Sequence, residues 1–149
     1  MTQRLPNLQP DGLRDLRAYQ LVKQLSHLVY ETTSNFANSE FRLIGQMRGA
    51  AVSVFGNIAE GYGRNVLGDY IRFCEIARGS LSELGSYIEF CQERNVLKPA
   101  DEKQLLDLYN YTWNALGALI RSLRKKKLGD GSWHQTYTAI EEEQELYDV

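Results

Sequence analysis

Proline is scarce in this 149-residue chain, with residues only at Pro6, Pro10 and Pro99. Nothing between residues 11 and 98 therefore forces a break in regular backbone. Cysteine and histidine are scarcer, two of each: Cys74, Cys91, His27 and His134. A zinc site needs such ligands clustered, and these are dispersed. Neither histidine follows a glutamate by three positions, which removes ferritin-like di-iron chemistry. Neither has an arginine five positions upstream, so the Arg-x-x-x-x-His pair of small helical ribonucleases is missing too. His27 reads as a solvated or rim histidine. The chain also lacks a phosphate-binding Gly-x-x-x-x-Gly-Lys-Ser/Thr loop and a Gly-x-Ser-x-Gly elbow. No metal, cofactor or enzymatic activity is expected.

No run of about eighteen apolar residues occurs, so no transmembrane helix is predicted. Residues 1–6 lack an apolar signal core, which argues against secretion and for cytoplasmic residence without a membrane partner. The two cysteines lie 17 positions apart in one helical segment, about 25 Å at the helical rise and beyond disulfide reach. They read as buried thiols in a reducing compartment.

What is present is a globular composition, 43% hydrophobic and 24% charged, in a length that suits one compact domain. Charge is unevenly placed. Residues 1–127 hold all 17 Lys and Arg against 13 Asp and Glu, a net +4, whereas residues 128–149 hold six acids and no base. A mildly basic body with an acidic tail is compatible with a polyanionic partner.

Apolar residues recur at three- and four-residue steps, the helical signature. The first segment, about 13–35, aligns Ala18, Leu21, Val22, Leu25, Leu28 and Val29, with Asp11 as a candidate cap. The second starts near Ser39, a candidate cap, and aligns Ile44, Met47, Ala51, Val54 and Ile58. It is expected to stop at Gly61 or Gly63, where glycine can turn left-handed. Gly45, Gly49 and Gly56 inside it each cost up to about 1 kcal/mol relative to alanine. Close approach of another helix is the expected compensation, the alternative being a helix that is simply weak.

The third segment, 67–95, repeats Tyr70, Phe73, Ala77, Leu81, Leu84, Ile88 and Cys91 in a near-heptad seam. Asn95 and Pro99 mark its end. The fourth starts at Pro99, where proline suits a first turn. It aligns Leu105, Leu108, Thr112, Leu116, Leu119, Ile120 and Leu123. Short connections between four such rods predict an all-α, antiparallel up-down-up-down four-helix bundle over residues 13–127. An N-terminal extension (1–12) precedes it. Residues 128–149 read as a flexible acidic tail, with Trp133, Tyr137 and Tyr147 available to order it on a neighbour.

One stretch stands out. Asn57, Glu60 and Arg64, with Ser53 and Arg48 before them, face a segment holding Arg78, Ser80 and Glu83. Ser53, Asn57, Ser80 and Glu83 are candidates for polar contacts between the second and third helices. A buried Glu60 would require a cationic partner, and Arg48, Arg64 and Arg78 are the candidates. Two readings stay open, a register lock and a ligand-facing surface. No nucleophile or metal ligand near Glu60 and Glu83 supports an acid–base pair.

These residues also carry a resemblance. Residues 46–53, then Asn57-Ile58-Ala59-Glu60-Gly61-Tyr62-Gly63-Arg64, then residues 73–84 (Phe-Cys-Glu-Ile-Ala-Arg-Gly-Ser-Leu-Ser-Glu-Leu) resemble the four-helix-bundle family of 23S rRNA intervening-sequence proteins. Accessory (variability determinant) proteins of diversity-generating retroelements are relatives in that family. The likeness spans about residues 13–127 and is most specific over 47–84. It implies an up-down-up-down bundle assembled as a cyclic homopentamer. For the accessory members it further implies a positive surface, nucleic-acid binding and association with a reverse transcriptase. The chain departs from the family pattern at Phe55, where proline is usual, at Phe36-Ala37 in place of Phe-Pro, and at Val66 in place of a small hydroxyl residue.

The function expected is thus a non-catalytic, oligomeric protein that binds RNA or DNA or serves a retroelement reverse transcriptase. Arg121, Arg124, Lys125, Lys126 and Lys127 would form one basic cluster, and Arg64, Arg72 and Arg78 a second surface. The same Arg124 to Lys127 run also suits the negative end of a helix dipole. The alternative is a protein-interaction scaffold with no nucleic-acid role, its acidic tail a regulator or polyanion mimic. Tyr70, Tyr87 and Phe90 on the third helix and Tyr109, Tyr111 and Trp113 on the fourth exceed what a lone bundle can bury, a pointer to self-assembly.

Overall fold

The computed structural model describes residues 7–129. The tail residues Trp133, Tyr137, Tyr147 and the acidic run 141–145, together with His134, lie outside the described residues. Among those described, all regular structure is helical: α1 (Asp11–Arg14), α2 (Arg17–Thr33), a 3₁₀ turn (Asn38–Glu40), α3 (Phe41–Gly63), α4 (Leu67–Glu93) and α5 (Pro99–Leu128). No helix among them is long and apolar enough to cross a membrane.

The four long helices close a ring, each packed on two neighbours: α2 on α3 and α5, and α4 on α3 and α5. Cross-helix hydrogen bonds fix their directions. Between α2 and α3, Ser26 Oγ donates to the Ala51 carbonyl at 3.2 Å and Arg48 Nε to Thr33 Oγ1 at 3.0 Å. As one chain position rises the other falls, so the pair is antiparallel. Ser53 with Ser80 and Gln46 with Tyr87 do the same for α3 and α4. Tyr109 with Leu81 and Glu102 with Gln92 do it for α4 and α5. The result is the up-down-up-down bundle that the periodicity predicts.

The predicted stripes supply the core. Val22, Leu25 and Val29 meet Met47, Val54 and Ile58, while the seam from Tyr70 to Cys91 meets Leu105, Leu116, Leu119 and Leu123. Ile44, placed on the second stripe, is only half-buried. Tyr70 is fully buried, so it is core and not a surface aromatic.

Several boundaries differ from expectation. The first segment is not one helix from residue 13: Leu16 takes an extended conformation (φ −64, ψ 124), and α2 starts after it. The break lets Leu13 and Leu16 both bury completely, and Gln20 Nε2 donates to the exposed Arg14 carbonyl at 2.9 Å. Asp11 lies inside α1 and accepts from Arg14, while Pro10 holds the cap position. Ser39 sits within the 3₁₀ turn and no side chain caps α3.

Helix α3 runs unbroken through Phe55 to Gly63, but the left-handed residue that turns the chain is Asn65 (φ 57), not a glycine. Asparagine tolerates that conformation better than other residues with a Cβ. Asn95 (φ 56) does the same after α4, as its position suggested. Val66 stands extended at the start of α4, which has no side-chain cap. Pro99 opens α5 as predicted.

The glycines of α3 also differ from expectation. A Cβ placed on Gly45, Gly49 or Gly56 would meet nothing within 4 Å. Among the described residues no helix packs closely on them. The tight approaches are at Gly61, against α4, and Gly85, under the Tyr109 ring.

Candidate nucleic-acid interface

The polar cluster between α3 and α4 forms, but with fewer members than the sequence suggested. Ser53 Oγ and Ser80 Oγ lie 3.0 Å apart, and Asn57 Nδ2 donates to the Ser53 carbonyl at 2.8 Å and to its hydroxyl at 3.1 Å. These half-buried contacts tie the two helices at one level, the behaviour of a register lock.

Glu60 does not join them. It is exposed and pairs with Arg64 one turn along the same helix, at 3.1 Å. It is not the buried carboxylate that would have demanded a cation. Its angular position explains this: two residues beyond the buried Ile58, it lies about 200° around the helix from the core line. Glu83, two residues beyond Leu81, is displaced in the same way. It accepts from the Tyr87 hydroxyl at 2.8 Å, and that bond, helped by burial and the carboxylate charge, raises the phenol's pKa.

Arg48 serves a different helix. Its guanidinium donates to Thr33 Oγ1 (3.0 Å), the Tyr30 carbonyl (3.3 Å) and Ser34 Oγ (3.3 Å), and it lies 4.6 Å from the Tyr30 ring centroid. It therefore satisfies groups at the C-terminal end of α2, where a cation suits the helix dipole. Arg78 makes no ion pair among the described residues.

The cations anticipated as two separate surfaces belong to one end of the molecule. Ser26 with Ala51 and Ser53 with Ser80 mark the middle of the bundle. Below that level lie residues 7–28, 52–79 and 114–129, holding eleven Lys and Arg against five Asp and Glu. Above it, residues 29–51 and 80–113 hold five against eight. Arg64, Arg72, Arg78, Arg121, Arg124, Lys125, Lys126 and Lys127 all fall in the basic half. Lys23, Arg14 and Arg17 belong to it too, and sequence reading missed them. Their signal was available: helix lengths and alternating directions alone bring the start of α2, the α3–α4 turn and the end of α5 together.

Local contacts modulate these charges. Arg64 and Arg72 lie 4.7 and 5.4 Å from the Phe73 ring centroid, so one ring supports two guanidiniums. Arg124 pairs with Glu75 across α4 and α5. Such exposed pairs contribute at most about 1 kcal/mol and leave the cation able to exchange partners. Lys127 reaches over the start of α4, its Nζ 3.4 Å from where a Gly68 Cβ would stand.

The remaining reactive groups are held inert or dispersed. Cys74 and Cys91 are both buried. Burial, and next the Glu40 carboxylate, push the Cys91 thiol up to about 11 against an opposing pull from Arg94. Among the described residues no three His, Cys, Asp or Glu side chains gather as metal ligands. An open groove between α2 and α3 is lined by Lys23, Ser26, His27, Tyr30, Val52 and Phe55, without converging carboxylates.

No curated protein matches the chain significantly. Residues 14–118 match the family described as 23S rRNA-intervening sequence protein, a span that includes the polar cluster, Arg64, Arg72 and Arg78 and ends before Arg121. With that stretch covering most of an all-helical bundle, the chain belongs to the 23S rRNA-intervening sequence protein family.

Proposed function

We propose that this protein is a non-enzymatic, cytoplasmic nucleic-acid-binding member of its family, and that the basic half of the bundle is the surface that meets RNA or DNA. The observation that carries this reading is the separation of charge along the bundle, eleven bases against five acids at one end and five against eight at the other. Such a surface acts on phosphates. Arginine and lysine neutralise the backbone and release counterions, so affinity falls steeply with salt and discriminates little between sequences.

Fluorescence anisotropy of labelled single- and double-stranded RNA and DNA between 20 and 300 mM salt tests it. Binding should weaken with salt, and the triple variant Arg72→Ala, Arg78→Ala, Arg121→Ala should bind more weakly with a shallower salt slope. Absence of binding at the lowest salt discards the reading.

Cyclic self-assembly, as a pentamer, and association with a reverse transcriptase belong to the same proposal, on the strength of the resemblance. Exposed Phe90, Tyr111 and Trp113 support the first. A monomer mass by light scattering at micromolar concentration would end it. Failure of the protein to co-purify with a co-expressed retroelement reverse transcriptase would end the second.

A further inference from the structure

We infer that the groove between α2 and α3 takes the unpaired bases of a nucleic-acid single strand, stacked on Phe55 and Tyr30. This site rests on the proposed function, which it narrows to one face of the bundle and one form of ligand. Two hollows meet in the groove. One holds Arg14 and Tyr19, the other His27 and Tyr30, while Lys23 and Phe55 line both.

Charge selects the occupant. No Asp or Glu is among the described residues that line the groove, whereas Arg14 and Lys23 supply two cations. The hollow between α2 and α5 is lined instead by Glu31 and Asp107. In the one between α3 and α4, Glu40 offsets Arg42. A polyanion is therefore drawn to the α2–α3 groove ahead of those two. Lys23 makes no ion pair among the described residues. Arg14 pairs only with the exposed Asp11, a contact easily exchanged for a phosphate.

Rings select the form of the ligand. Phe55 is half-buried and Tyr30 is 44% exposed. Each is covered by a cation, Lys23 Nζ at 4.6 Å from the Phe55 centroid and the Arg48 guanidinium at 4.6 Å from that of Tyr30. An ammonium resting on an accessible ring is weakly held, so Lys23 can swing to a phosphate and uncover Phe55 for a base. Arg48 stays, anchored by its hydrogen bonds to the end of α2, and its plane extends the Tyr30 platform. Lys23 and Tyr30 are seven residues apart on α2, about 10 Å or about three nucleotides at about 3.4 Å each. Gly56, whose Cβ would meet nothing within 4 Å, leaves the α3 wall low beside Phe55. Stacking of this kind tolerates any base. It is closed to a duplex, where each base face is already covered by its neighbours.

Photo-cross-linking of a 4-thiouridine-containing single-stranded RNA to the full chain, mapped by mass spectrometry, reads the site without any substitution. Adducts should fall on Phe55 and Tyr30. Adducts on Phe73, Tyr109 or Trp113 in their place overturn the inference.

Fluorescence anisotropy supplies the second readout. Phe55→Leu and Tyr30→Leu keep an apolar side chain but lose the ring. Each should bind the single-stranded RNA about tenfold more weakly and bind an RNA duplex as before, which also shows that the variants fold. Phe55→Tyr and Tyr30→Phe should restore the single-strand affinity. Equal losses for both forms, or no loss in either, overturn the groove assignment and leave the proposed function standing. A Phe55→Leu protein that changes its mass by light scattering while binding RNA normally assigns the groove to a second copy, and overturns it too. Failure of the unsubstituted protein to bind either form is the failure of the proposed function, and takes this site with it.

Discussion

Gly61 and Phe73 stand so close across the α3–α4 pairing that a Cβ on Gly61 would fall 2.6 Å from the Phe73 Cβ and 3.2 Å from the Tyr70 Cα. Neither neighbour is the free end of a flexible chain, so the two helices must separate to admit a methyl group. Gly61→Ala should destabilise the protein by about 1–3 kcal/mol, read as a lower midpoint in urea denaturation. Gly49→Ala, whose new Cβ meets nothing within 4 Å, should do the opposite and gain up to about 1 kcal/mol from helix propensity.

Gly85 gives Tyr109 its place. A Cβ there would collide with the ring and hydroxyl of Tyr109, which donates to the Leu81 carbonyl at 3.0 Å. Gly85→Ala should expel the ring and cost more than Tyr109→Phe, which removes only the hydrogen bond, worth about 0.5–1.5 kcal/mol. The ranking is checked by thermal unfolding, and equal losses would contradict it.

Arg48 joins α3 to the end of α2 through a forked donor and a ring contact. Lysine has the charge but not the planar fork. Arg48→Lys should therefore recover little of the stability lost in Arg48→Ala, a loss of about 1–3 kcal/mol. Amide hydrogen exchange should quicken at the last turn of α2 in both variants.

Cys74 and Cys91 should resist a thiol reagent at pH 8 in the native protein and react fully in denaturant. The folded state holds the Cys91 proton to about pH 11 against an ordinary 9.0. That contribution to stability is complete below pH 9 and is lost as pH rises through 11. Rapid native-state reaction of either thiol would contradict the burial.

The three long rods after residue 40 are legible because each carries an apolar stripe at three- and four-residue steps that is buried over most of its length, and throughout from Tyr70 to Cys91. The first rod is misread for a local reason. Leu13 and Leu16 are three apart and mimic a helical stripe, yet both bury only because the chain breaks between them and α2. Glu60 and Glu83 are misjudged because they sit beside small and hydroxylated residues in sequence. Their rotation away from Ile58 and Leu81 could have been counted. The isolated glycines Gly45, Gly49 and Gly56 announce an unusual helix surface, but spacing alone does not say whether a partner lies inside or outside the chain. The basic half needed no side-chain geometry, only the four rods laid head to tail at their predicted lengths.

The folding of residues 11–16 beneath the bundle has a practical side. Because the chain enters α2 and leaves α5 at one pole, an affinity tag fused directly before residue 7 or directly after residue 129 is anchored beside the cationic surface. A polyhistidine or acidic tag at either site would bias a polyanion assay. A label inserted at the turn around Asn95, at the opposite pole, would leave that surface clear.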